Sequence, residues 1–207
     1  MEHMTSGGLL VRVRRPLFMA ALLGLMVPMA LPVPRADAYH TWSDHRLVGG
    51  IHNRTYFLDS TVTGVDAAAV TRARDVWNPT ATNFWFYQQT TAAGAAVQVH
   101  HLAGTSGAGG YCARTVLYYG GAGHTTAPTS DWSSARLDVD PANFTSAAAC
   151  GTQTDQHRGA ILAHEWGHAI GLAHDDYNAA VLMYTHISGT GVSAPTQDDI
   201  NGANHLY

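Results

Sequence analysis

Between His164 and Asp175 the chain reads His-Glu-Trp-Gly-His-Ala-Ile-Gly-Leu-Ala-His-Asp. His164 and His168 stand four residues apart, so on a helix they share one face, a turn from each other. Two imidazoles placed this way can meet one zinc ion at roughly 2.0–2.1 Å. Glu165 is their neighbour in sequence but projects beside the metal, where a carboxylate can take a proton from water instead of ligating. A catalytic zinc needs a third protein ligand and an open fourth position. Gly171 tolerates positive φ and can end the helix sharply, which lets His174 swing back as that third ligand. The chemistry predicted is hydrolysis: zinc acidifies water and polarises a carbonyl, while Glu165 carries the proton to the leaving amine. A closed structural zinc site has no use for an acid at the second motif position. Apart from Glu165 the chain has one glutamate, Glu2, near its start.

These residues need elements to hold them. A helix capped by Thr154 or Asp155 must carry the two spaced histidines. Residues 66–77 read as an amphipathic helix, with Val65, Ala69, Val70, Ala73, Val76 and Trp77 at helical spacing, Asp66 as a cap and Asn78-Pro79 as the stop. Strands are predicted over residues 55–60, 84–88, 96–100, 112–119 and 135–140, the last ending at Pro141. Residues 39–50 read as an irregular arm, and the glycine-rich stretches 104–110 and 120–130 as loops. Residues 195–207 read as a closing helix, with Thr196 and Asp199 at capping-box spacing. No fixed-period repeat is recognisable, and a single domain is expected.

Composition sets the surroundings. Arg12, Arg14 and Arg15 precede an apolar run over residues 17–31, and Ala36-Asp37-Ala38 offers small residues where a signal peptidase reads. Residues 1–38 are expected to be a signal peptide cut after Ala38, leaving residues 39–207 as a single secreted catalytic domain. The apolar run, broken by Pro28, falls short of the roughly 20 residues that span a bilayer. Beyond Ala38 the chain carries seven arginines, no lysine, twelve aspartates and one glutamate, a formal charge of −6. An acidic chain without basic clusters argues against nucleic acid and membrane as partners. A monomer acting on a protein or peptide substrate is expected. Cys112 and Cys150 are the only cysteines. In an exported protein they are expected to pair, a loop closure worth roughly 4 kcal/mol. The alternative is one free thiol acting as an inhibitory zinc ligand.

Other residues carry weaker signals. Tyr184 and His186 follow Met183 closely; the bland readings are packing for the tyrosine and a surface position for the histidine. His100 and His101 alternate across a strand and cannot share a metal. His157 lies on the face of His164 and reads as solvated. Asp138 and Asp140 share a strand face that could bind calcium, against the plainer reading of solvent-facing strand aspartates.

The extended motif resembles that of the metzincin clan of zinc proteases, and within it the matrixin type. Val65-Asp-Ala-Ala-Ala-Val, Val76-Trp77 and Asn83-Phe84 resemble the first helix and second strand of matrixin catalytic domains. Met183, in Val-Leu-Met-Tyr nine residues after His174, resembles the Met-turn beneath the zinc. Asp198-Asp-Ile-Asn-Gly and Leu206-Tyr207 resemble the closing helix. The resemblance implies an α+β metzincin fold: a twisted, mostly parallel sheet with an active-site helix and a C-terminal helix. It implies His164, His168 and His174 as zinc ligands, Glu165 as the base, Met183 as a structural residue, and a secreted zinc endopeptidase. Residues 112–119 would form the edge strand over the cleft, to which an extended peptide adds. Residues 183–195 would wall the pocket for the side chain after the scissile bond. The chain departs from the matrixin pattern at Asp175, where serine is usual, and at Thr185, where proline is usual. An Asp-rich metal loop and a cysteine-switch prodomain are not recognisable. Two other functions stay open: an inactive zinc-binding relative serving as a secreted binding module, against which the intact Glu165 and Gly171 count, and a zinc hydrolase of another amide bond.

Overall fold

The computed structural model describes residues 39–102, 110–144 and 150–207. The predicted leader with its cut after Ala38, and residues 104–109 of the first glycine-rich loop, lie outside the described residues. The elements run β1 (Arg54–Leu58), α1 (Gly64–Trp77), β2 (Phe86–Gln89), β3 (Val97–His101), β4 (Ala113–Tyr119), β5 (Ala122–His124), β6 (Ser134–Val139), α2 (Asp155–Ala169) and α3 (Gln197–Leu206). Short 3-10 turns cover Pro141–Phe144 and Ile187–Gly189. The six strands form one sheet in the order β2-β1-β3-β6-β4-β5. β1 pairs in parallel with β2 and β3, and β3 with β6; β4 and β5 run antiparallel to their neighbours. The fold is the α+β arrangement expected, with a mostly parallel sheet.

The active-site helix is the centre of the core. Every residue of α2 from Gly159 to Ala169 is buried. Two indoles fix its backbone: Trp77 Nε1 of α1 donates to the Ala163 carbonyl and Trp132 Nε1 to the Ala169 carbonyl, each at 2.9 Å. The Trp166 ring packs edge-on against Tyr56, Phe84 and Phe86. Trp77, Trp132 and Trp166 are fully enclosed; burying an aromatic side chain of 150–250 Å² is worth roughly 4–6 kcal/mol. The Cys112–Cys150 disulfide forms, with a Cα–Cα distance of 5.8 Å. It joins the start of β4 to the segment that leads into α2.

Three expectations need correction. Asp66 does not cap α1, whose N-cap is Thr63. Its carboxylate is buried, bound by Arg158 of α2 at 2.7 Å and by His101 of β3 at 3.1 Å. The predicted loop over 120–130 contains β5, where Gly120 and Gly121, both at positive φ, turn the chain back on β4. The sheet edge is therefore β5, not residues 112–119. Because β5 covers only Leu117–Tyr119, residues 113–116 keep one edge without a strand partner among the described residues.

Candidate metal centre and cleft

His164 and His168 project from α2, and the helix ends at Ala169, one residue after His168. Gly171 has φ 105°, and a Cβ there would stand 2.7 Å from Leu206 and 3.2 Å from Trp132. Only glycine suits both the backbone and the space. The chain leaves the helix here and brings His174 back. His168 Nε2 lies 3.0 Å from His174 Nε2, which lies 3.2 Å from His164 Nε2. One ligand atom from each of the three lies within 4.8 Å of the others. His164 and His168 are buried and His174 is exposed, so the cluster opens to the outside on one side.

Their outer nitrogens are held by backbone. His164 Nδ1 donates to the Leu182 carbonyl at 2.8 Å and His168 Nδ1 to the Leu172 carbonyl at 2.7 Å. With the proton on Nδ1, each Nε2 presents a lone pair to the cluster. The Trp42 ring stacks on His168 at 4.9 Å and 6°. Met183 packs beneath: a Cβ on Gly167 would stand 2.3 Å from its sulfur. That contact explains the glycine inside the motif. Asp199 secures the turn from α3. Its carboxylate accepts from Leu182 N at 3.0 Å, Met183 N at 3.1 Å and Thr196 N at 2.7 Å. The residue read as a helix cap thus also holds the carbonyl that orients His164. Asp175, at the matrixin serine position, is buried and accepts from Tyr177 N and Asn178 N. It shapes the loop after His174.

Burial decides the charge states. It pushes His164 down to about 4 and His168 well below its usual value; His174 is lowered as well. All three favour the neutral, metal-binding form. Glu165 is pushed up to about 7 by burial, against the pull of hydrogen bonds from Thr115. The donor set fits a zinc ion: four tetrahedral ligands at about 2.05 Å stand about 3.3 Å apart, close to the spacing of the imidazole nitrogens. Converging lone pairs repel each other unless a cation lies among them. Glu165, Thr115 and Trp42 join the three histidines around a cleft of about 520 Å³.

Residues 41–207 match the family model described as Matrixin. The chain belongs to the matrixin family. As a matrixin it is a zinc metalloendopeptidase. Among solved structures it is similar to high choriolytic enzyme 1, a hatching-enzyme zinc-protease from the medaka fish Oryzias latipes. The identity is 13%, covering 74% of this chain and 88% of that chain, with a TM-score of 0.43. Comparison with the curated proteins gave no match.

The other singled-out residues of this matrixin take different places. His186 lines the cleft with Thr185, Ile187 and Ser188, so the segment after Met183 does reach it. Tyr184 sits edge-on to His186 at 5.9 Å, and its backbone bridges to Asp175. His157 is not solvated: its Nε2 stands 2.6 Å from the Thr190 carbonyl, tying that same segment to α2. His100 and His101 go separate ways, the first toward Asp59 and the second to Asp66. Asp138 and Asp140 are buried, not solvent-facing. Asp138 is clasped by Arg114 and Arg136, while Asp140 accepts from Ala142 N and Asn143 Nδ2. No helix of the described residues is long and apolar enough to cross a membrane. Thr115 and Trp42 were missed in the sequence. Trp42 precedes the first strand without periodicity, and a threonine in a strand is ordinary.

Proposed function

We propose that this matrixin is a secreted endopeptidase in which His164, His168 and His174 hold the zinc and Glu165 is the general base. The observation that carries this reading is the convergence of three imidazole nitrogens, with the tautomers of His164 and His168 set by backbone carbonyls, beside one buried carboxyl in one cleft. When bound, the zinc supplies a Lewis acid to the scissile carbonyl and to water. Glu165 accepts the proton of the attacking water and passes it to the leaving amine. In the metal-free protein burial raises this carboxyl to about 7. The extended substrate lies along the edge of residues 113–116 that has no strand partner among the described residues, and its main chain pairs with the N–H and C=O groups pointing away from β6. His186, Ile187 and Ser188 border the pocket for the side chain after the scissile bond. Export follows from residues 1–38 as a signal peptide, with residues 39–207 as the catalytic domain.

Glu165→Ala tests the base. The variant should bind one zinc per chain and fail to cleave unfolded casein. A variant that keeps its zinc and its activity removes Glu165 from the mechanism. Mass spectrometry of the exported protein should find a chain starting at Tyr39; a start well downstream would contradict cleavage after Ala38.

A further inference from the structure

Thr115 lies in the middle of β4, opposite Leu137 of β6. With Ala113 and Leu117 it belongs to the sheet face that α2 covers. A threonine enclosed on such a face must satisfy its hydroxyl. It does so entirely on one residue. Oγ1 lies 2.7 Å from the Glu165 carbonyl oxygen and 2.8 Å from Glu165 Oε2. A hydroxyl has a single proton, so it donates to one of these acceptors at a time. The same side chain borders the cleft beside Glu165.

We propose that Thr115 is the positioning residue for Glu165, a proposal that rests on Glu165 being the base. While the carboxyl is ionised, the Thr115 proton points to Oε2, a charge-assisted bond that fixes the carboxylate plane. Oε1 is left to take the proton from water. Once Oε1 carries that proton, Oε2 is the weaker acceptor and the hydroxyl turns to the Glu165 carbonyl. When the proton passes to the leaving amine, the hydroxyl returns to Oε2. No bond to Thr115 forms or breaks, and its own proton never leaves it. The two acceptors let one hydroxyl follow the charge on Glu165 without being left unpaired in either state. Holding the carboxyl in one orientation acts on the chemical step, not on the grip on substrate.

The test is steady-state hydrolysis of fluorescein-labelled unfolded casein by the zinc-loaded enzyme. The variants are Thr115→Val, Thr115→Ser, Glu165→Gln and the double variant Thr115→Val/Glu165→Gln, each with its zinc content and thermal midpoint. Thr115→Val should lower kcat about 10- to 100-fold, the effect of losing a hydrogen bond to a charged group, with KM and zinc content unchanged. Thr115→Ser should restore kcat, and the double variant should be no slower than Glu165→Gln alone. Wild-type kcat in Thr115→Val, a loss confined to KM, or a serine variant as slow as valine at full zinc content would each overturn the proposal. If Thr115→Val does not fold, Thr115→Ala replaces it as the hydroxyl-free variant. An active Glu165→Gln would refute the base itself and the Thr115 role with it. An inactive Glu165→Gln beside a normal Thr115→Val refutes only the latter.

Discussion

Removing the charge of Glu165 should stabilise the metal-free fold, and increasingly so as pH rises. The ordinary carboxyl value of 4.5 describes the unfolded chain, and burial raises it to about 7 in the fold. Between those values the folded state holds more proton than the unfolded state. Stability therefore falls as pH climbs through this window, and the cost is complete above it. At about 1.4 kcal/mol per decade the interval is worth roughly 3 kcal/mol. Glu165→Gln keeps the shape and discards the charge. Its amide can donate to Thr115 Oγ1 while Thr115 still donates to the Glu165-position carbonyl. His164 runs the other way: with a folded value of about 4 against 6.5, its contribution is full above 6.5 and is lost as pH falls toward 4. Both proteins share that dependence, so it cancels in their difference. Urea unfolding of the two chelated proteins from about pH 4 to about pH 8 reads the effect. The advantage of the glutamine variant should grow by roughly 3 kcal/mol across that range. An advantage that does not change with pH would refute the claim that burial raises the Glu165 carboxyl.

Other perturbations address the supports of the site. His174→Ala removes the exposed member of the proposed ligand set; zinc stoichiometry should fall sharply while the chelated protein unfolds at nearly the wild-type urea midpoint. Gly167→Ala places a Cβ 2.3 Å from the Met183 sulfur, so the Met183 side chain must shift; overpacking of this kind costs about 1–3 kcal/mol, readable in the urea midpoint. Asp199→Ala leaves the amides of Leu182 and Met183 without their acceptor. It should cost more than about 2 kcal/mol and weaken zinc about 10- to 100-fold in a competition titration.

The site was legible because its spacing is dictated by coordination geometry. A four-residue step between histidines, a glycine exit and a returning histidine leave few arrangements to choose from. Helix α1 was legible from its buried stripe of Ala69, Val70, Ala73 and Trp77. Helix α2 is enclosed from Gly159 to Ala169, so it has no polar face to give periodicity, and only the motif and Thr154 marked it. β5 was invisible, since Ala-Gly-His carries no strand preference and forms only because the preceding glycines fold it onto β4. Asp66, Asp138 and Asp199 were misread or half-read for one reason. Sequence shows a charged residue at a surface-like spacing, and only tertiary structure shows the arginine or backbone amide that lets it be buried.

The most direct test of the account is proteolysis by the purified protein under control of zinc. Unfolded casein is incubated with the wild type, with the chelated wild type, with the chelated protein given back one equivalent of zinc, and with zinc-loaded Glu165→Ala. Cleavage should appear in the first, vanish in the second, return in the third and be absent in the fourth. Cleavage that persists both after chelation and in Glu165→Ala would contradict a zinc endopeptidase built on His164, His168, His174 and Glu165.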